Sequence, residues 1–252
     1  MSESFTKEDR NKVASFLSTV NLSQGIGFAE MPCSIAAINI ALTGKIGDTR
    51  PSCMSPVIHR FIIEVQDSAG DEMRNSKEWK ALLPWAAGSL DEDEIELERL
   101  CLVRDWLWDT VFPNKIMLNT SALAGLRYDW EAMLKGRSQQ SLNAFVVLAE
   151  AKSGDYAGAC AAAAQWALCT YSLTSAPCCP ASMAAESARD ACSAADVVAR
   201  QAWQDRVLSG CENWTGAERI SCIEAAWRSF EPAALLRRLI EHPNGLPAGW
   251  EA

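Results

Sequence analysis

Apolar positions along this chain recur with the period of a helix far more often than with that of a strand. Val57, Ile58, Phe61, Ile62 and Val65 share one face of a helix that begins near Ser55, because residues three and four apart line up on a helical surface. Upstream, Pro32 opens a helix over residues 33–42 that Gly44 stops, following the preference for proline at a helix start and glycine just past its end. Residues 23–29 read as a glycine-containing loop. Asn75 and Ser76 cap a short helix with Trp79, Leu82 and Leu83, which Pro84 and Gly88 disturb or end. The clearest helix of this half begins with Asp91, Glu92, Asp93, Glu94, Glu96 and Glu98, acids that suit the positive end of the helix dipole. Leu100, Val103, Trp106, Leu107 and Val111 form its buried stripe, and Pro113 ends it.

From Ser141 onward the composition turns to alanine. Residues 143–152 and 156–171 predict two helices folded back on each other around Gly154-Asp155. Prolines at both ends of Pro177-Cys178-Cys179-Pro180 break the helical pattern. The next helix carries a seam of Ala181, Ala185, Ala188, Cys192, Ala195, Ala199 and Ala202, a heptad-like spacing of small residues that lets a neighbour approach closely. That neighbour is either the small-residue side of residues 156–169 or a second copy of the chain. Thr215 and Glu218 form a capping box, and Leu235, Leu236, Leu239 and Ile240 mark a last amphipathic helix before Pro243, Gly245 and Pro247. No period-2 run bounded by turn residues appears. The expectation is an all-α, multi-helix bundle: an N-terminal helical domain at 1–135 and an alanine-rich helical domain at 136–252, or one continuous unit.

Composition narrows the function classes. A formal charge of −9 runs against direct nucleic-acid binding, which needs clustered Lys and Arg. It suits docking on a basic protein surface, including one that normally holds nucleic acid. No apolar run is long enough to cross a bilayer, and the first ten residues lack a signal peptide's apolar stretch. The expected location is therefore the cytoplasm, where the ten cysteines are expected to be thiols rather than bridges; Cys211 and Cys222 are the pair placed to approach each other.

Candidate chemistry is sparse. With two histidines, His59 and His242, the chain lacks the imidazole motifs of zinc hydrolases and of most triads. Gly25-Ile26-Gly27 lacks the third spaced glycine of a phosphate loop, and no cysteine–histidine zinc spacing occurs, so neither cofactor nor metal is expected. One catalytic suspect remains: Cys33 at a helix start, where the dipole lowers a thiol pKa, with His59 as its base. Against it stands the plain alternative that Cys33 fills a small buried space. For binding, the candidates are the acid run Asp91, Glu92, Asp93 and Glu94, weighed against a solvated helix start, and the pair Trp106 and Trp108. Two residues apart on a helix, these point to different sides, so at least one is expected at the surface; tryptophan anchors are over-represented at interfaces.

Taken together, Cys33-Ser34-Ile35-Ala36-Ala37-Ile38-Asn39, Leu42-Thr43-Gly44, Arg74-Asn75-Ser76, Trp79-Lys80-Ala81-Leu82-Leu83-Pro84, Ala86-Ala87-Gly88 and Asp105-Trp106 resemble a group of uncharacterised proteins of bacteria and their phages or prophages. In that group a similar block precedes an alanine-rich tail and a closing segment like residues 230–240. The resemblance carries no established activity or site residues. It implies a small accessory protein acting on a bacterial host protein complex, of the kind that includes anti-CRISPR inhibitors of host defence. The other expectations are an enzyme using Cys33 and a self-assembling helical protein built on the alanine seam.

Overall fold

Capping chemistry sets where most of the helices begin. The computed structural model describes residues 5–171, 181–208 and 215–242. Thr6 opens α1 (Lys7–Thr19) with a reciprocal capping box to Asp9. Cys33 Sγ accepts from Ala36 N to start α2 (Ser34–Thr43), and Gly44 closes it in the left-handed conformation at φ 72°. Ser55 and Ser76 cap α3 (Pro56–Ser68) and α5 (Lys77–Ala86), on either side of the single turn α4 (Asp71–Arg74). Each side-chain oxygen or sulfur satisfies a backbone N–H that the helix itself cannot pair. Pro84 sits inside α5, which continues two residues beyond it.

The loop expected at residues 23–29 holds a strand. β1 (Gly27–Phe28) pairs antiparallel with β2 (Met31–Pro32), in register Gly27↔Pro32 and Phe28↔Met31. Pro32 therefore ends a strand instead of starting a helix. The ladder is too short to leave a period-2 pattern, so alternation could not reveal it.

The chain divides into two units, each with its own core. The first comprises Met1–Leu102, Cys179–Glu186 and Pro232–Ala252. Within it α1 packs on α2 and α5, α2 on α3, and the closing helix α13 (Pro232–Glu241) on α3 and α5. Ile35, Ile38, Val57, Ile58, Phe61, Ile62, Val65, Trp79 and Leu83 are wholly buried. The acid-led helix α6 (Asp93–Trp106) contributes its first ten residues here.

The second unit comprises Val103–Cys178 and Ser187–Glu231. A π-helical turn at Leu107–Val111 follows α6, with Phe112 N donating to Leu107 O at 2.8 Å. Then come α7 (Lys115–Leu123), α8 (Arg127–Gly136), α9 (Gln139–Glu150) and α10 (Asp155–Cys169), with α8 packed on α7, α9 on α8 and α10 on both α9 and α7. α9 and α10 form the hairpin expected around Gly154. Most of α11 (Ala181–Leu208) and all of α12 (Gly216–Ser229) complete the unit. The core carries a run of edge-to-face aromatic pairs: Trp108–Phe112 at 5.6 Å, Phe112–Trp130 at 5.3 Å and Trp130–Phe145 at 5.1 Å, the preferred geometry for opposed ring quadrupoles.

These units do not follow a single cut at 135/136. The composition change near Ser141 marks where small residues begin, whereas the units follow packing, and α13 returns to the helices of the first third. Within the alanine seam Ala185, Ala188, Cys192, Ala195 and Ala199 are buried, while Ala181 and Ala202 are half-buried. Residues 177–180, Cys211, Trp214, Trp250, Pro243, Gly245 and Pro247 lie outside the described residues.

Candidate functional site

The buried thiol comes first. Cys33 is 3% exposed, and its sulfur is spent as the cap of α2. Burial pushes the thiol up, against the lowering by the backbone N–H groups of Ala36 and Ile35. The helix start thus does lower the pKa, but desolvation outweighs it. His59 is turned elsewhere, its Nε2 lying 2.9 Å from Asp48 O, and burial pushes the imidazole below its ordinary range. No hydrogen bond joins Cys33 and His59 among the described residues. A thiolate–imidazole pair would need both shifts reversed.

The acid run splits into two roles. Asp91 Oδ2 accepts from Arg99 Nη2 at 2.5 Å, and Glu96, the buried acid of the same helix, accepts from Arg99 Nη1 at 2.6 Å. Arg99 also donates to Leu239 O, Ser89 O and His242 O. The second oxygen of Glu96 accepts from Ser55 Oγ at 2.6 Å and Val57 N at 3.2 Å. Asp91 is therefore committed to tying the end of α13 to the start of α6. Glu92, Asp93 and Glu94 stay exposed, directly after Leu90, itself 43% exposed.

Trp106 and Trp108 are both buried, which corrects the expectation that one faces solvent. They do point to different sides, but both sides are covered. Trp106 stacks on Trp227 at 6.4 Å and donates to Phe230 O at 2.5 Å. Trp108 meets Phe112 edge-on and donates to the Tyr171 hydroxyl at 2.9 Å. The strip between them is a layer of core, and neither ring is a surface anchor.

A surface that the sequence reading missed lies on the hairpin. Phe28 is 57% exposed, Ile26 46% and Met31 42%. Opposed residues of an antiparallel pair point to the same face, so the register brings Phe28 and Met31 side by side. The hairpin is fixed to the helices beneath it. Ser23 N donates to Pro32 O, Cys33 N to Ile26 O and Ser23 Oγ to Met31 O, and Gln66 Nε2 reaches Ser23 O. On the outer side Gln24 Nε2 donates to Asp67 O, and Gly25 N to the Asp67 carboxylate. Large apolar side chains held out by rigid backbone are the usual mark of a contact surface. The sequence signal lies in Ile26 between Gly25 and Gly27, with Phe28 and Met31 just after them; what hid it was the shortness of the strands.

No helix among the described residues is long and apolar enough to cross a membrane, and no group of His, Cys, Asp and Glu among them is placed to hold a metal ion. Comparison with protein-family models, with curated proteins and with solved structures found no match.

Proposed function

We propose that this chain is a non-catalytic protein-binding accessory protein of phage or prophage origin, an inhibitor of a bacterial defence system that acts by covering a surface of its target. The observation that carries the reading is the exposure of Phe28 and Met31 side by side, with exposed Ile26 nearby, on a hairpin held by side-chain and backbone bonds. A preorganised apolar patch loses little entropy on docking, so more of its burial appears as affinity. Exposed Leu90 with Glu92, Asp93 and Glu94 offers a second contact, suited by charge to a basic surface that normally holds nucleic acid. The buried, hydrogen-bonded state of Cys33 favours this reading over thiol chemistry.

The test is the stoichiometric complex. The tagged protein is captured from its native bacterial host at physiological salt, and the partner is identified by mass spectrometry. A Phe28→Asp/Met31→Asp variant, with unchanged circular dichroism, is expected to lose the partner and any protection of phage from host defence. Capture that is unaffected by the double variant removes the hairpin from the interface, and no stoichiometric partner at all removes the reading.

A further inference from the structure

On the first unit, α1 and α5 lie side by side and leave a groove of about 650 Å³. Its chemistry is opposite to that of the chain as a whole. Arg10, Lys77 and Lys80 line it, and no Asp or Glu among the described residues does, in a protein of formal charge −9.

Among the described residues Arg10 has no counter-ion. Its guanidinium lies over the Trp85 ring at 3.8 Å from the centroid, with Phe5 at 5.8 Å, and its buried Nε has no hydrogen-bond partner. Stacking fixes the plane of the group while leaving its edge donors for something else. Burial pushes both Arg10 and Lys80 below their ordinary ranges. Lys80 spends one donor on Val20 O at 2.7 Å. Lys77 is exposed.

The arrangement along the groove selects the ligand. Arg10 and Leu17 are seven residues apart, about 10 Å along α1. Arg10 meets Trp85 near the end of α5, whereas Lys80 reaches the carbonyl just beyond the end of α1. The cations therefore stand toward opposite ends, with Ala14, Leu17 and Pro84 between them. A single phosphate cannot span both ends. Asn11, exposed in the same groove, carries the donor and acceptor that a peptide backbone matches.

We infer that the groove between α1 and α5 binds a short extended acidic peptide segment of a partner protein, with one carboxylate on Arg10, another on Lys77 and Lys80, and an apolar side chain between them. The inference does not depend on the hairpin contact proposed above. A nucleic-acid occupant is disfavoured because its phosphates continue beyond the three groove cations into the repelling field of the rest of the chain, whereas a short peptide ends within the groove.

The test uses the full-length ¹⁵N-labelled protein. The probe is an acetylated and amidated pentapeptide, Glu-Asp-Leu-Asp-Glu, with its Gln-Asn-Leu-Asn-Gln counterpart, tripolyphosphate and a short single-stranded oligonucleotide as comparisons. Saturable shifts are expected at the Trp85 indole N–H and along α1 and α5, weakening as salt rises. Arg10→Gln is expected to weaken binding roughly tenfold, as for a charged hydrogen bond. Lys77→Gln, at an exposed position that does not threaten folding, is expected to weaken it about threefold. Three outcomes overturn the inference: no saturable shift below about 10 mM, a range where binding free energy is negligible; equal binding of the uncharged peptide; or tighter binding of tripolyphosphate or oligonucleotide than of the acidic peptide.

Discussion

Glu96 and Arg99 face each other one helical turn apart at 2.6 Å, each with a side chain only 1% exposed. Every oxygen of Glu96 and every nitrogen of Arg99 has a partner, so the desolvation of both charges is offset by a complete set of bonds. The pair sits where four segments meet: the cap of α3, Ser89, the start of α6 and the last turn of α13. Removing one member strands the other. Arg99→Met is expected to lower stability by about 3–5 kcal/mol, the usual cost of breaking a buried pair. Urea unfolding of the two proteins checks this. Hydrogen exchange should show α13 opening first, because Leu239 O and His242 O lose their donor.

This pair also shows where sequence reading stops. The stripe of α3 from Val57 to Val65 and the buried Leu235, Leu236, Leu239 and Ile240 of α13 were legible, because a helix repeats its burial at fixed spacing. The acid run was legible as a helix start. Which acid turns inward was not: Glu96 differs from Glu94 only in facing Ser55 and Arg99, a matter of tertiary placement. α1 left little trace, since Val13 and Leu17 are its only buried side chains. Likewise, the groove cations Arg10, Lys77 and Lys80 come together only when α5 lies on α1. For Trp106 and Trp108, spacing predicts different sides, but periodicity cannot count how many sides are covered.

The aromatic run in the second unit should behave as one structural element. Trp130 is wholly buried, contacts Phe112 and Phe145 edge-on, and donates to Phe112 O at 3.2 Å. Trp130→Ala is expected to cost about 3–5 kcal/mol through lost burial and the cavity left behind. Trp130→Phe keeps the ring contacts and loses the indole bond, so it should cost less than half as much. Denaturant midpoints for the two variants, with near-ultraviolet circular dichroism for the ring packing, decide the point.

His59 gives stability a dependence on pH that carboxylates cannot mimic. Burial lowers its folded pKa below the ordinary 6.5. The unfolded chain therefore binds the proton more readily, and stability rises with pH across that interval. The contribution is fully present above about 6.5 and is lost as pH falls through the lower folded value. The capping acids Asp9 and Glu218, also held below their ordinary ranges by hydrogen bonds to Thr6 and Thr215, act only at lower pH. A His59→Gln variant is expected to flatten the decline just below pH 6.5 while leaving the acid limb unchanged. Thermal melts at closely spaced pH values would show it, and an unchanged decline would assign the effect to another group.

Cys33 and Gly27 together report on the hairpin. Gly27 has φ +70°, and a Cβ there would strike Met31 O and Ser23 Oγ. Alanine at a positive φ costs about 1 kcal/mol before any clash, and here the obstructing carbonyl belongs to the paired strand. Gly27→Ala should therefore open the ladder and release the Cys33 N–H bond to Ile26 O. In the wild type, Cys33 should react with iodoacetamide at neutral pH far more slowly than free cysteine, since it is buried and its thiol is held up. In Gly27→Ala, labelling at Cys33 should accelerate, whereas Phe28→Asp, which changes only an exposed side chain, should leave it slow. Peptide mapping of the labelled thiols separates Cys33 from half-buried Cys53. A Cys33 that reacts faster than free cysteine in the wild type would restore the catalytic thiol and count against a purely structural role for this helix start.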